Sequence, residues 1–176
     1  MKHEFKNKFI YSNDNLIRYI RSHMIPGSTL LDLGCGPKVY SQAVKDLTVK
    51  QTTVDAWADV EPDILADLEK YDVKTGIGNV DYILMIDFIE HLEKSSGQRL
   101  LEDCKKIVNK KIFLLTPLEP IWNDNHKNVN NPELWCYGNN YDLHKSLWTE
   151  DDFMGFTQVQ MYSLENYFLG HWERHV

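Results

Sequence analysis

The chain has 176 residues, 43% hydrophobic and 26% charged, a globular balance that removes the compositional grounds for a disordered, collagen-like or coiled-coil protein. That length suits one domain with a sizeable core, read as residues 1–176, and leaves no room for a nucleotide-binding domain followed by a full second one. With 26 acidic against 19 basic residues the formal charge is −7, so no general field attracts a phosphate backbone and nucleic acid is not an expected partner.

Along the chain, Leu16, Ile17, Ile20 and Met24 recur at helical spacing behind an Asn13 or Asp14 cap, and Pro26-Gly27 ends the pattern. Thr29 to Leu33 reads as a buried strand running into Gly34-Cys35-Gly36, with a helix over Ser41 to Leu47. A second strand is expected at Thr52 to Asp55 and a shorter third at Asp63 to Leu68, each bringing an acid, Asp55 or Asp67, to its end. Val80 to Ile86 is a nearly continuous apolar run, the pattern of a central strand covered on both faces, with a helix after it. Gln98 to Val108 places Leu100, Leu101, Cys104, Ile107 and Val108 on one helical face, and Lys111 to Leu115 is a further strand ending at Thr116-Pro117.

This alternation predicts an α/β fold: a Rossmann-like, doubly wound, mostly parallel sheet in three α/β/α layers. From 118 to 145 the composition shifts to Asn, Pro, Trp, Tyr and His without a period, which marks a substrate or lid segment. A short helix at Thr149 to Met154 follows, and Gln158 to Tyr162 with Tyr167 to Trp172 would close the sheet as an antiparallel pair. Cys35, Cys104 and Cys136 are an odd number without zinc-finger spacing, the amino terminus lacks the apolar core of a signal peptide, and no apolar run reaches membrane-spanning length. A cytoplasmic protein without membrane insertion is expected.

The strongest chemical signal is Leu30-Leu31-Asp32-Leu33-Gly34-Cys35-Gly36-Pro37. Glycines at a strand-to-helix turn let the backbone approach a ligand closely, and an acid ending the second strand is placed to accept both ribose hydroxyls of a nucleoside. A tight turn without a ligand and solvated strand-end acids are the plainer alternative; the shared register of Asp32, Gly34, Asp55 and Asp67 favours a site.

Over essentially its whole length the sequence resembles class I S-adenosylmethionine-dependent methyltransferases, in the segments STLLDLGCGP, TTVDAW, DILADLEKY, DYILMIDFIEHLEK, KIFLLTP and HKSLWTEDDF. The resemblance implies that Asp32, Gly34, Cys35 and Gly36 line the amino-acid end of S-adenosyl-L-methionine. It further implies that Asp55 with Ala56 binds its ribose, that Asp67 with Leu68 flanks the adenine, and that Asp87 borders the donor. The family often has a third glycine two residues after Gly36, where this chain has Lys38 behind Pro37. Trp57 is either an adenine-stacking residue or ordinary packing.

The second constellation is Asp87-Phe88-Ile89-Glu90-His91, directly after the central strand. A helix starting there would put positions 87, 90 and 91 on one face. The segment resembles the acid-x-x-Glu-His stretch of metal-dependent branches of the family, the ubiquinone-pathway O-methyltransferases and the small-RNA 2′-O-methyltransferases, and His144 matches a downstream histidine of the latter. Asp87, Glu90, His91 and His144 are thus candidate ligands of a divalent metal. The favoured reading has no metal: Asp87 and Glu90 have capping-box spacing, and His144, His91 and Asp87 are the candidate catalytic groups for removing an acceptor's proton.

Trp122, His126, Trp135, Tyr137 and Tyr141 suit a wall for an apolar or ring-shaped acceptor, or aromatic residues pinning the loop. His3, His23, His171 and His175 are read as surface residues. The expected function is O-methylation of a small-molecule or glycan-type acceptor; the rivals are a metal-dependent small-RNA enzyme, a nicotinamide-dependent oxidoreductase lacking the full G-x-G-x-x-G, and a non-catalytic donor-binding module.

Overall fold

The computed structural model describes residues 13–118, 124–161, 164 and 166–175. Its strands are β1 (Ser28–Leu33), β2 (Thr48–Asp55), β3 (Ile64–Leu65), β4 (Val80–Ile86), β5 (Val108–Pro117), β6 (Thr157–Gln158) and β7 (Tyr167–Glu173). They form one sheet in the order β3-β2-β1-β4-β5-β7-β6. β1 to β5 are mutually parallel, β7 runs antiparallel to β5, and β6 antiparallel to β7. The expected Rossmann-like architecture with an antiparallel carboxyl-terminal pair is therefore present.

The period-2 alternation of strands makes two cores, one on each face. Leu31, Leu33, Ile83, Met85, Ile112 and Leu114 join one cluster with Leu100, Leu101, Cys104 and Ile107 of the helix α4 (Lys94–Ile107). Leu30, Tyr82, Leu84, Phe113 and Leu115 join the other with Leu16, Ile20 and Met24 along the helix α1 (Asp14–His23). Asn13 starts α1 by accepting the amides of Asn15 and Leu16, each at 3.0 Å. No helix among the described residues is long and apolar enough to cross a membrane.

Local differences from expectation have local causes. The helix expected at Ser41 to Leu47 is α2 (Val39–Ala43) followed by a 3₁₀ turn at Lys45–Leu47. β3 holds only Ile64 and Leu65, because the Asp63 carboxylate accepts Thr53 N and Oγ1, both at 2.8 Å, and ties β2 through a side chain rather than a ladder. A four-residue helix, α3 (Val73–Gly76), precedes β4. The 118 to 145 segment carries a further short helix, α5 (His126–Val129), and a 3₁₀ turn at Asn140–Asp142. The expected helix at Thr149 to Met154 is a 3₁₀ turn, Glu150–Phe153, closed by a Thr149–Asp152 capping box.

His171 was expected at the surface and instead is buried on β7, where its Nδ1 lies 2.5 Å from the Tyr19 hydroxyl. His23 is half-buried and His175 exposed, while His3 lies outside the described residues.

Gly97 offers a test of the packing. A Cβ there would meet Trp148 Cζ2 at 2.8 Å and Ile89 Cγ1 at 3.1 Å, and Trp148 is fully buried with no room to retreat. In an exposed helix Gly→Ala gains about 1 kcal/mol; here overpacking outweighs that gain, so Gly97→Ala is expected to destabilise by about 1–2 kcal/mol in a urea titration.

Candidate active site at the carboxyl edge of the sheet

The parallel register brings the ends of β1, β2 and β3 to one edge, with Leu33 opposite Val54 and Asp55 opposite Leu65. Gly34 and Gly36 turn there with φ of +65° and +45°. Gly34 must lack a side chain for a second reason: a Cβ would fall 2.0 Å from Phe88 Cδ2, whose ring packs on the turn. Lys38, at the position where the family often has its third glycine, adopts φ +62° and thus keeps the backbone conformation that glycine would supply. Its ammonium is anchored on the carbonyl of Glu61.

Asp55 is oriented by the backbone around it: Gly36 N donates to Oδ2 and Trp57 N to Oδ1, both at 2.9 Å. Burial raises its pKa, while the amides of Trp57, Gly36 and Ala56 pull it back down. Asp67 accepts Glu69 N at 3.0 Å and Lys70 Nζ at 2.8 Å. These residues open on a cavity of about 520 Å³. Gly34, Cys35, Gly36, Asp55, Ala56, Asp67, Leu68 and Asp87 all line it. Asp32 does not. It is buried beneath the turn, where burial pushes it up to about 7 and the Ser41 hydroxyl partly offsets this. Cys35 lies on the wall, its thiol raised by burial and therefore unreactive.

At the end of β4 the helix expected from Asp87 does not form. Asp87 takes a left-handed φ of +48°, its amide donates to Leu115 O at 2.9 Å, and only a 3₁₀ turn, Ile89–His91, precedes α4. The capping-box reading of Asp87 and Glu90 is therefore overturned, since no side chain caps that turn. Glu90 instead points inward at 1% exposure, its Oε2 accepting Thr116 Oγ1 at 2.8 Å. His91 is wedged between backbone carbonyls, with Nε2 at 3.2 Å from Asp87 O and Nδ1 at 3.3 Å from Leu143 O. A neutral imidazole donates to one of the two.

The distant segment is docked onto this turn. The amides of Lys145 and Ser146 both donate to Glu90 O, at 2.8 and 3.1 Å, and Trp148 Nε1 donates to Ser146 Oγ at 2.8 Å. In His144-x-Ser146-x-Trp148 the last two residues are thus the anchor, and the first is carried to the cavity with its ring 4.8 Å from that of His91. Glu90, His91 and His144 bring potential ligand atoms within 4.8 Å of one another, and Asp87 does not join them.

The aromatic wall is only partly assembled. Trp135 and Tyr141 line the cavity, Tyr137 and His126 are exposed away from it, and Trp122 lies outside the described residues. Residues not singled out from sequence complete the cavity's lining: Asn125, Asn128, Asn139 and Asp142, with Tyr40 and Tyr167. Asn125 Nδ2 donates to Asp142 Oδ2 at 2.6 Å, and Asn128 Nδ2 bonds Asn125 Oδ1 at 2.5 Å. The Asn-rich composition was the available signal, but polar residues in a loop point equally to solvent.

The cavity concentrates buried acids. Burial raises Asp87 and Glu90, and their proximity raises Glu90 further; Asp142 is pushed up to about 7 by burial, with Asp55 and Asp87 adding to the rise. His91 moves the other way, down to about 3, from burial and then from His144. For Asp142 the folded chain keeps a proton to about pH 7, whereas the unfolded chain releases it near 3.8. Its contribution is thus greatest at the acid end of that window and is lost as pH rises through it. Asp142→Asn should therefore gain stability relative to the parent at pH 8 compared with pH 5, read as the difference in melting temperature between the two proteins at each pH. His91, neutral in the folded state, contributes in both proteins and cancels.

No protein-family model matches the sequence, and no curated protein matches it. Solved structures do. A magnesium protoporphyrin IX methyltransferase from Synechocystis PCC 6803 with bound SAH has a TM-score of 0.62 at 12% identity, covering 92% of this chain and 81% of that one. A SAM-dependent methyltransferase from Archaeoglobus fulgidus gives 0.62 at 14%, covering 92% of both. A Rhodobacter sphaeroides protein described as a Zn-dependent alcohol dehydrogenase gives 0.65 at 13%, covering 92% and 90%. At these identities the likeness is one of architecture, a Rossmann-like α/β fold shared by methyltransferases and by a protein described as a dehydrogenase.

Proposed function

We propose that the protein is an S-adenosyl-L-methionine-dependent methyltransferase acting on a small-molecule or glycan-type acceptor. The observation that carries this is Asp55: a carboxylate at the end of β2, fixed by the amides of Gly36 and Trp57, opening on a cavity large enough for a nucleoside and a second molecule. Its two oxygens keep lone pairs for both ribose hydroxyls. Gly34, Cys35 and Gly36 would border the amino-acid end, with Asp32 acting from beneath through the turn, and Ala56, Asp67 and Leu68 would flank the base. Fold neighbours solved with SAM or SAH bound support the same choice of donor.

The bound donor supplies an electrophilic methyl on a sulfonium, so the chain's own task is to hold an acceptor in line and to take its proton. Asp87 is held at the cavity by its left-handed backbone, and no donor to its carboxylate lies among the described hydrogen bonds. Asp87 and His144 are the proposed proton acceptors. His91, kept neutral and held by carbonyls, orients His144 through their edge contact. Asn125, Asn128 and Asp142 present the polar face suited to a hydroxylated acceptor.

The three-residue grouping of Glu90, His91 and His144 favours a second reading, metal-dependent transfer. One carboxylate and two imidazoles are a donor set for a transition divalent ion rather than Mg²⁺. Against it, Glu90 is engaged by Thr116, both His91 nitrogens face carbonyls, and Asp87 stands outside the group. The set does not make the four-residue shell, and the metal-free reading is retained.

S-adenosylhomocysteine should bind in calorimetry, and Asp55→Ala should weaken it by about 1–3 kcal/mol, the loss of hydrogen bonds to a charged group. Binding of NADH in preference to S-adenosylhomocysteine would install the oxidoreductase reading. A melting temperature raised by Mn²⁺ and unaffected by it in His144→Ala would install the metal reading.

A further inference from the structure

We propose that Trp135, carried by the segment that covers the acceptor end, is a donor-binding residue that roofs the ribose end of bound S-adenosyl-L-methionine. The inference rests on the donor assignment above and changes the role suggested for Trp135 by sequence, where it belonged to the acceptor wall.

Three contacts carry it. The Trp135 ring lies directly over the glycine turn: a Cβ built on Gly36 would meet Trp135 Cη2 at 3.1 Å, with Cζ2 and Cζ3 at 3.6 Å. Gly36 is also the residue whose amide fixes Asp55, at 2.9 Å, so the ring stands beside the carboxylate proposed to hold the ribose. The ring packs beside Trp57, with centroids 6.0 Å apart and planes tilted by 48°. Trp57 itself does not line the cavity, whereas Leu134, Trp135 and Cys136 do, together with Gly34, Cys35 and Gly36. The adenine-stacking role weighed for Trp57 thus passes to a supporting one, and the aromatic surface offered to the donor is that of Trp135.

The arrangement couples two parts of the site through covalent continuity. Cys136 follows Trp135 directly. The loop returns from Gly138, whose amide donates to Val129 O at 2.8 Å, to Asn139 and Asp142 at the acceptor end. A large indole on a half-buried face gives contact area while its single N–H can stay at the wet edge, and it excludes water from the hydrogen bonds beneath it. Gly36 is required twice, for its φ of +45° and for the space the ring occupies.

The experiment compares S-adenosylhomocysteine affinity of the parent, Trp135→Ala and Trp135→Phe by calorimetry, with the melting temperature of each ligand-free variant recorded alongside. The expected result is a loss of about tenfold or more for Trp135→Ala, on the scale of one aromatic contact. Trp135→Phe should recover most of it, because the ring face is kept. Tryptophan emission should change on ligand binding in the parent and lose most of that change in Trp135→Phe. If the parent does not bind the ligand, the donor assignment fails. If the parent binds and Trp135→Ala binds equally or more tightly, the donor assignment stands and the roof is overturned. Should Trp135→Ala not fold, Trp135→Phe decides through its emission: an unchanged ligand response there overturns the roof.

Discussion

The site depends on the burial of Glu90. Its carboxyl group receives the Thr116 hydroxyl from the end of β5, and its main-chain carbonyl receives the amides of Lys145 and Ser146. One residue thereby joins the end of β4, the end of β5 and a segment more than fifty residues away. A buried acid is expensive unless it is bonded or neutral, and burial together with Asp87 holds Glu90 well above the ordinary carboxyl range. Protonated, it can accept from Thr116 without leaving a naked charge in the core. The sheet edge and the covering segment are consequently fixed to each other before any ligand arrives.

Strain is concentrated on the same edge. Among the described residues, four without glycine's freedom take positive φ: Lys38, Glu61, Asp87 and Asn125. Lys38, Asp87 and Asn125 border the turn, the end of β4 and the acceptor end, and such conformations cost on the order of 1–3 kcal/mol each unless their surroundings over-determine them. The surroundings do so. Lys38 starts α2 and reaches Glu61 O; Asp87 is held by Leu115 O and by His91; Asn125 is held by Asp142. Rigid strands thus supply the positions, and strained single residues aim the side chains.

The sheet and the cavity-lining residues at the ends of β1 to β3 were legible from sequence because each rests on a local pattern. The nearly continuous apolar run Val80 to Ile86 has the bounds of β4, and Gly34, Gly36 and Asp55 sit at consecutive strand ends whose parallel register follows from the alternation of elements. The part of the cavity lined by the covering segment was not. Asp142 reaches the cavity only because a loop folds back through Asn125, and nothing in NNYDLH distinguishes that acid from a solvated one. Asp87 was misread for a different reason. The D-x-x-E spacing is that of a capping box, but tertiary bonds from Leu115 O and Thr116 outbid the local cap and turned both acids elsewhere. Lys38, conversely, takes a left-handed φ of +62° at a position where the residue type alone does not announce it.

These features fit together through charge. Asp55, Asp87, Glu90 and Asp142 open on one cavity, and its lysine, Lys145, is paired at 3.2 Å with Glu69 outside. A cationic group entering beside Asp55 would meet a carboxylate held by the backbone amides of Gly36 and Trp57, with Lys38 as a nearby cation. The turn after β4 and the segment that Glu90 holds in place thus bring to the same cavity acids that the strand–glycine–acid pattern does not contain.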